Sequence, residues 1–488
     1  MFKKMLLLIL SSISYGFYAN AVEVKYNIDI DPTTKTINGN QVQAFLLNGS
    51  SPGPIIKAEI GDTLNITINN KTQKDLIIHW HGLMVPNDQD GVAFVTTKII
   101  SAGTNFTYNF PVKQTGTYWY HAHGLEEAQG IYGAIVLNNP EETFPDSNVL
   151  LYTGELDKNP EDVLKELTKN EISTMDHSAH MSMSSNTEEE APMEMDHSKM
   201  NHAQTNQGQM IDKTNGEKMK MGRMMTHYSD VTYAEHLING QNQAVTITEI
   251  QDNKVKLRII NAYVDGFLNF VYSGGKITVV SSDGLDVKPV AMDNLRVAMG
   301  ETYDIILDVK DNKSYELVSF FMGSNEYSKV IIGNGELVPI RSLDVNDYSR
   351  KQPYTLLETI TPEYLDFKKF NNVQKHNFSL EGDHDNYNWR IEEKGKILER
   401  LNVKVGDKIK VKILNNTMMP HPMHLHGTFF KVNLTKPSNN LIKHTINLDP
   451  METVEIEFII DEEGNWLFHC HNLFHMATGM MITIEATK

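Results

Sequence analysis

A short segment near the C-terminus combines several metal-binding side chains. His469, Cys470 and His471 are consecutive, and His475 and Met480 follow the cysteine by five and ten residues. Cys470 is the only cysteine in 488 residues. One thiolate, two imidazoles and a weak thioether form the ligand set of a blue-copper electron-transfer site, whereas a free buried cysteine would act as a small hydrophobic residue. The segment therefore favours a copper site.

Three further histidine groups lie in two clusters at opposite ends of the chain. A single His-x-His pair is weak evidence, because strand alternation places both rings on one face of a sheet. The four groups together, however, hold ten of the nineteen histidines. Imidazoles beside a thiolate favour copper among the metals that histidine binds. The three groups are His79-Trp80-His81, His121-Ala122-His123 and His421-Pro422-Met423-His424-Leu425-His426.

These motifs resemble those of the multicopper oxidases, the family that contains laccases and cuprous oxidases. The resemblance extends from about residue 40 to the C-terminus and is nearest to the bacterial copper-resistance oxidases, through the motifs at 118–123 and 475–481. It implies an enzyme that couples one-electron oxidation of a substrate to the four-electron reduction of O2 to water. It also implies four copper ions: one type 1, one type 2 and a type 3 pair.

The resemblance assigns a ligand role to each motif residue. The type 1 ligands would be His421, Cys470, His475 and the axial Met480. The type 2 ligands would be His79 and His424, and the type 3 ligands would be His81, His121, His123, His426, His469 and His471. Because alternate residues of a strand point in opposite directions, Cys470 would face one metal site and its two neighbours the other.

Reduction of O2 also needs acids that deliver protons. The resemblance assigns this role to Asp90, eleven residues after His79, although Asp90-Gly91 is also a turn signal. Glu127, after the second histidine pair, is another candidate. The chain departs from one branch of cuprous oxidases, because Met476 occupies the position where that branch has a glutamate directly after the second type 1 histidine. Either protons reach the site by another route, or the resemblance does not extend to that branch.

Residues 1–21 are predicted to be a secretory signal. Two lysines precede a mostly apolar stretch, and Ala19-Asn20-Ala21 provides a cleavage site. The stretch is too short for a convincing membrane span. Since the chain has no cysteine pair and no twin-arginine motif, we expect a periplasmic protein that is exported unfolded, lacks disulfides and has no membrane span after cleavage. A net charge of −18 disfavours nucleic acid as a partner.

An internal repeat predicts an all-β fold. The segment 56–70 has the pattern of a strand, a Gly-Asp turn and a second strand, and it leads to His79. The segment 401–416 repeats the pattern and leads to His421, whereas a middle copy around 254–280 lacks histidine pairs. We therefore expect three β-sandwich domains, cupredoxin-like by resemblance, at 22–156, 227–350 and 351–488. The middle domain would be a spacer, and the outer two would meet at the metal sites.

Residues 157–226 interrupt this pattern as a Met/His-rich insertion. The first part, 157–172, could form a short charged helix. Eleven of the 24 methionines lie between Met175 and Met225, and Met-Asp-His-Ser occurs twice. This composition cannot bury a core, so a flexible loop or lid is expected. Thioethers select Cu(I), which makes the insertion a candidate metal path, although methionines without a role remain the alternative.

Three functions remain open at this point. The first is oxidation of Cu(I) to Cu(II) in copper tolerance, and it is favoured by Met418, Met419, Met423 and Met476 near the type 1 ligands. The second is a laccase-like oxidation of phenols. The third is copper sequestration, which would not need complete oxidase ligand sets. The expected partners are O2, Cu(I) or phenolic reductants and a periplasmic copper donor, and a monomer is expected.

Overall fold

β-Strands make up nearly all of the regular structure. The computed structural model describes residues 21–138, 148–169, 228–340, 352–434 and 440–488. Within these ranges the chain forms three units, each built from two sheets. The all-β, cupredoxin-like prediction is confirmed. The Met/His-rich segment from Met175 to Met225 lies outside the described residues.

The first unit is a sandwich of two four-stranded sheets. Their strand orders are β2-β1-β4-β6 and β3-β8-β7-β5. The strands are Glu23–Ile37 (β1), Asn40–Leu47 (β2), Ile56–Glu59 (β3), Thr63–Asn70 (β4), Ile78–His81 (β5), Asn105–Pro111 (β6), Gly116–Ala122 (β7) and Tyr132–Asn138 (β8). The two predicted strands around the Gly-Asp turn are therefore β3 and β4, which belong to opposite sheets.

The second unit has two six-stranded sheets. One has the order β10-β9-β12-β17-β14-β15, and the other has β11-β19-β18-β13-β16 with β20 added beside β18. The strands are Asn148–Glu155 (β9), Glu235–Ile238 (β10), Val245–Ile247 (β11), Lys254–Asn261 (β12), Leu268–Tyr272 (β13), Ile277–Ser282 (β14), Leu285–Met292 (β15), Leu295–Val297 (β16), Thr302–Asp308 (β17), Lys313–Phe321 (β18), Tyr327–Gly333 (β19) and Glu336–Val338 (β20). A boundary at residue 156 assigns β9 to the first unit, but this strand pairs with β10 and β12 of the second. We therefore propose that the first unit ends before β9.

The third unit contains a seven-stranded sheet, β23-β22-β21-β25-β30-β27-β28, and a five-stranded sheet, β24-β32-β31-β26-β29. The strands are Val373–Glu381 (β21), Arg390–Glu393 (β22), Lys396–Ile397 (β23), Arg400–Lys404 (β24), Lys408–Asn415 (β25), His421–Leu425 (β26), Phe430–Asn433 (β27), Leu441–Lys443 (β28), Thr445–Leu448 (β29), Thr453–Ile459 (β30), Gly464–Cys470 (β31) and Met481–Thr487 (β32). The second sheet contains all the histidine motifs of this unit that lie on strands.

Two short α-helices and three 3-10 helices (Asn87–Gln89, Leu125–Gln129 and Pro353–Thr355) complete the regular structure of the described residues. Pro160–Leu167 (α1) corresponds to the predicted charged helix, and Leu473–Ala477 (α2) carries His475. The Asn472 side chain accepts hydrogen bonds from the amides of Phe474 and His475, which caps α2 at its first turn. In the part of the chain that the structure describes, no helix is both long and apolar enough to cross a membrane.

The repeat between the outer units extends to the turn chemistry. Gly61 and Gly406 both have positive φ, at 95° and 79°, which suits glycine. An aspartate follows each glycine, and its carboxylate accepts a hydrogen bond from a backbone amide near the start of a distant strand. Asp62 accepts from the Val22 amide, and Asp407 accepts from the Asn372 amide. The same turn therefore fixes the parallel pairs β1–β4 and β21–β25.

The middle unit is packed tightly against both of its neighbours. Buried apolar side chains of the second and third units form one continuous cluster. Toward the first unit, Thr117 Oγ1 donates to Asp304 Oδ1 at 2.6 Å, and Arg258 Nη1 donates to Asp304 Oδ2 at 2.9 Å. Thr302 Oγ1 also donates to the Thr117 carbonyl at 2.9 Å. A buried polar network thus joins β7 to β12 and β17.

Replacement of Asp304 tests this junction. Asp304→Leu removes the carboxylate that faces the buried Arg258, and loss of one member of a buried ion pair costs about 3–5 kcal/mol. We expect a lower midpoint of thermal unfolding. Asp308→Asn is the matched control, because Asp308 lies on the same strand with an exposed side chain. Equal midpoints for Asp304→Leu and the wild type would contradict the role of this network.

Candidate metal centre

The thiol of Cys470 lies at the centre of a small buried cluster. Its Sγ is 3.7 Å from Nδ1 of His421 and 3.7 Å from Nδ1 of His475. The two Nδ1 atoms are 3.1 Å apart. All three side chains are buried, and their ligand atoms are close enough to hold one metal ion. The structure therefore brings together three of the four residues predicted as type 1 ligands.

Hydrogen bonds on the outer ring nitrogens fix both imidazoles of this cluster. His421 Nε2 lies 2.8 Å from the Thr417 hydroxyl, which itself donates to Asn415 Oδ1. His475 Nε2 donates to Asp230 Oδ2 at 3.0 Å. With the outer nitrogens held in this way, both Nδ1 atoms can present lone pairs to a metal beside the thiol.

Met480 is the fourth predicted ligand of this cluster. It is fully buried, and it follows the turn after α2. Its amide donates to the His475 carbonyl at 3.0 Å, and its carbonyl accepts from the Cys470 amide at 2.9 Å. These two backbone bonds hold Met480 beside the two ligands, while the next residue, Met481, begins β32 and is only partly buried.

Eight further histidines form a second cluster between the first and third units. Antiparallel pairing places His79 opposite His121 in β5 and β7, and His424 opposite His469 in β26 and β31. The histidines alone form three groups whose ligand atoms are each compact enough for one metal ion, and a fourth group combines Asp90 with His79 and His426. The three histidine groups are His79, His81 and His424; His81, His121 and His471; and His123, His426 and His469. All eight residues that were predicted for the three-metal site therefore converge.

The ring nitrogens of this cluster have the close spacing and the missing hydrogen-bond partners expected of metal ligands. His426 Nε2 and His469 Nε2 lie 3.0 Å apart. Six of the other ligand candidates have a buried ring nitrogen without a hydrogen-bond partner. Buried polar atoms normally find partners, so several orphaned nitrogens in one place indicate a missing ligand. The orphaned atoms are His79 Nε2, His81 Nδ1, His121 Nε2, His123 Nε2, His424 Nε2 and both ring nitrogens of His471.

The opposite ring nitrogens are held by backbone carbonyls, as is usual around metal-bound histidines. His79 Nδ1 donates to the Asp90 carbonyl at 2.7 Å. His424 Nδ1 donates to the His444 carbonyl at 2.8 Å. His469 Nδ1 donates to the Cys470 carbonyl at 2.8 Å. These bonds set both the tautomer and the ring orientation, so that Nε2 of each ring points into the cluster.

The two predicted acids both touch this cluster. Asp90 is fully buried, and its Oδ2 accepts from His426 Nδ1 at 2.9 Å. Glu127 Oε2 lies 2.9 Å from His121 Nδ1. The second carboxylate oxygen of each residue, Asp90 Oδ1 and Glu127 Oε1, is buried without a partner. Gly91 has φ of +89°, so Asp90-Gly91 is also the turn that the sequence indicated.

Burial shifts the pKa of seven histidines and the cysteine in these clusters. Burial, reinforced by neighbouring imidazoles, lowers the pKa of seven of these histidines well below the usual value: His79, His81, His123, His421, His424, His469 and His471. Neutral imidazole is the form that binds metals. Burial also raises the pKa of the Cys470 thiol, so a metal ion must displace a proton to bind there.

Strand β31 connects the two clusters. Cys470 belongs to the first cluster, whereas His469 and His471 belong to two groups of the second. This division is the one expected when successive residues at the end of a strand point in opposite directions. Cys470 is therefore joined to the second cluster by two covalent paths, one through His469 and one through His471. Each path crosses a single peptide bond.

Several residues at these sites were not found from the sequence. Thr417 and Asp230 hold the imidazoles of the Cys470 cluster, while His444 and Thr445 lie against the second cluster. None of them belongs to a motif. Asp230 is 245 residues from His475 along the chain, so no local spacing could have indicated the contact.

The methionines near the first cluster fall into two classes. Met419 and Met423 are buried in the core, 3% and 0% exposed, which removes them from any surface path. Met418 is 37% exposed, and Met476 is partly buried at the end of α2. Only the latter two can contact a substrate that approaches from the surface.

Comparison with known proteins shows similarity along nearly the whole chain. Multicopper oxidase family models match residues 29–142, 174–333 and 362–488. The chain is 25% identical to copper resistance protein A of Escherichia coli, over 98% of this chain and 95% of the relative. It is 26% identical to the multicopper oxidase MmcO of Mycobacterium tuberculosis, over 93% of this chain and 85% of the relative.

Solved structures agree with this assignment at the level of the fold. The structure of Fet3p, described as a multicopper oxidase that functions in iron import, superposes with a TM-score of 0.72 at 16% identity, covering 95% of this chain and 90% of that one. The structure of a multicopper oxidase from Campylobacter jejuni, described as a metallo-oxidase, superposes with a TM-score of 0.65 at 21% identity. The match covers 96% of this chain and 92% of that one. With three family matches that together extend over most of its length, this chain belongs to the multicopper oxidase family and is a copper-dependent oxidoreductase.

Proposed function

We propose that this enzyme oxidises Cu(I) to Cu(II), with O2 as the final electron acceptor, and so contributes to copper tolerance. The observation that carries the proposal is the direct link through β31 between the Cys470 cluster and the eight-histidine cluster. The names of two relatives, copper resistance protein A and a metallo-oxidase, support a metal substrate. We also propose a periplasmic location after removal of residues 1–21.

The proposed ligands follow the two clusters. His421, Cys470, His475 and Met480 would hold type 1 copper, and His79 and His424 would hold type 2 copper. Two triads would hold the type 3 pair: His81, His121 and His471, and His123, His426 and His469. Bound copper would supply the redox chemistry, taking single electrons from the substrate at the thiolate site and delivering four to O2 at the histidine site.

The outer edge of His475 is the proposed place of substrate contact. Burial opposes ionisation of Asp230, but hydrogen bonds from His384 and His475 outweigh it and hold the pKa of the carboxyl below its usual range. Tyr387 also donates to Asp230 Oδ2, at 2.6 Å. His384 Nε2 lies 3.3 Å from Asp230 Oδ1, and its side chain is 52% exposed. A carboxylate therefore connects a surface imidazole to His475, a proposed type 1 ligand.

Protons for O2 reduction would come through Asp90 and Glu127. Each carboxylate uses one oxygen to hold the Nδ1 atom of a ligand histidine, and its other oxygen is buried without a hydrogen-bond partner. A buried carboxyl behind a ligand histidine can orient that ligand and supply a proton from its unpartnered oxygen. These two acids would provide a route that does not need a glutamate at position 476.

Oxygen uptake with Cu(I) as the sole reductant tests the proposed activity. The copper-loaded enzyme should consume O2 rapidly, and Cys470→Ser should abolish uptake, because serine cannot supply the thiolate. Uptake should be followed with an oxygen electrode, with a phenol in a parallel assay. Brisk uptake with the phenol alone would instead indicate a laccase-like enzyme. No uptake with either reductant would favour copper sequestration.

Deletion of residues 175–225 tests the role of the methionine-rich segment. We expect slower Cu(I) oxidation with retained phenol oxidation, because thioethers select Cu(I) and not organic reductants. A variant with these methionines replaced by leucines keeps the length of the segment and controls for the loss of chain. Unchanged Cu(I) kinetics in the deletion variant would refute the proposed path.

Asp90→Asn tests proton delivery. The amide retains the shape and one acceptor oxygen for His426, but it cannot release a proton. We expect turnover to fall by about 100-fold, the lower range for loss of a general acid. Copper content and the visible absorption of the thiolate site should be unchanged. The matched control is Asp88→Asn in the same turn, because the Asp88 side chain is exposed. Normal turnover in Asp90→Asn would eliminate Asp90 as a proton donor.

A further inference from the structure

A turn of the middle unit is inserted between the two outer units. Asp283 and Gly284 lie between β14 and β15, both with positive φ, at 50° and 76°. A Cβ on Gly284 would lie 2.1 Å from the Tyr118 ring, and one on Gly116 would lie 2.1 Å from the Gly284 carbonyl oxygen. The turn therefore packs directly against β7 of the first unit, and a side chain at either Gly116 or Gly284 would clash.

The Asp283 carboxylate reaches the third unit from this turn. Its Oδ2 accepts hydrogen bonds from the amides of His444 and Thr445, at 3.2 and 3.0 Å. Its Oδ1 accepts from the Thr302 amide within the middle unit, at 3.3 Å. Asp283 is fully buried. One carboxylate thus fixes two successive peptide groups where β28 continues into β29.

A buried lysine balances the charge of this carboxylate. Lys443 is 0% exposed, and its Nζ lies 3.2 Å from Asp283 Oδ1 and 3.1 Å from Glu301 Oε1. Nζ also donates to Ser282 Oγ at 2.8 Å. Buried charges are retained where they are paired and hydrogen-bonded, and here the pairing leaves Oδ2 of Asp283 for the two amides.

The segment held by Asp283 in turn holds two proposed copper ligands. The His444 carbonyl accepts from His424 Nδ1 at 2.8 Å. The Thr445 hydroxyl lies 3.1 Å from His424 Nδ1 and 3.3 Å from His81 Nε2. The His81 and His424 rings are stacked, with centroids 3.8 Å apart. The outer nitrogens of both rings therefore depend on residues 444 and 445.

We propose that Asp283 is a positioning residue for the type 2 copper site, through the peptides of His444 and Thr445. The proposal rests on the assignment of His424 to type 2 copper made above. It gives the middle unit a part in copper binding, although that unit supplies none of the proposed ligands. In this role Asp283 acts through the orientation of His424, whose ring stacks on that of His81, and does not touch the metal.

Asp283→Asn in the full-length, copper-loaded enzyme tests the proposal. Asparagine tolerates the positive φ and keeps the side-chain shape. The NH2 group of asparagine, however, would face hydrogen-bond donors in either flip of the side chain. It would face Lys443 and the Thr302 amide in one flip, and the amides of His444 and Thr445 in the other. Loss of an outer contact to a metal ligand typically costs about 10–100-fold in affinity. We expect type 2 copper to be removed by EDTA at a concentration at least about tenfold lower than in the wild type.

Two spectroscopic measurements show which copper site the substitution affects. The electron paramagnetic resonance signal of type 2 copper should shift or weaken in Asp283→Asn, while the visible absorption of the Cys470 site should be unchanged. Thr445→Val should change the same signal without altering the contact between units. Thr445→Ser, which keeps the hydroxyl, should retain the wild-type signal.

Arg296→Met is the control for simple docking of the units. Arg296 makes a bidentate ion pair with Asp449, at 3.1 and 2.9 Å, and it joins the same two units away from His424. Its loss should lower thermal stability but leave the type 2 signal unchanged. An equal loss of type 2 copper in Arg296→Met and Asp283→Asn would show that docking alone is responsible and would overturn the proposal.

The remaining outcomes separate this inference from the proposed function. A wild-type enzyme without a type 2 signal would refute the ligand assignment itself. A wild-type enzyme with that signal, together with an Asp283→Asn variant that has the same signal and the same EDTA sensitivity, would refute only the role of Asp283.

Discussion

The burial of many imidazoles with orphaned nitrogens is the constraint on which the rest of the structure depends. An unpartnered buried polar group costs on the order of 1–3 kcal/mol, whereas a whole protein is stable by about 5–15 kcal/mol. Six histidines of the second cluster carry such nitrogens. The apolar cores of three units must therefore offset this cost before a metal ion binds, and metal binding to the folded state adds to its stability.

This constraint explains why seven of the twelve proposed ligands lie on paired strands, with His123, His426 and His471 directly after strand ends. Paired strands fix the ring positions through the register, as with His79 opposite His121 and His424 opposite His469. The twofold alternation of β31 then divides consecutive residues between two sites. A helix could not do this over three residues, because successive side chains on a helix are separated by about 100° and not 180°.

The parts of the structure that were predictable are those encoded locally. Strand alternation, the Gly-Asp turns and the His-x-His spacing each involve a few neighbouring residues, and they led to the sandwich fold and to residues that the structure brings together. The pairing of β9 with the second unit was not predictable, because strand partners depend on long-range contacts. Asp230 and Thr445 were missed for the same reason, while Met419 and Met423 lie in the core because methionine also fills apolar space.

The placement of the buried carboxylates suggests why three units are needed when two provide all the proposed ligands. The middle unit contributes Asp230, at the outer edge of the Cys470 cluster, and Asp283, behind the eight-histidine cluster. Both act on the outer nitrogens or on the backbone, which are the positions that tune a metal site without occupying it. A separate unit can vary these contacts while the ligand strands of the other two keep their register. The middle unit therefore contributes to the environment of both sites, and its close packing against the outer units brings Asp230 and Asp283 to these positions.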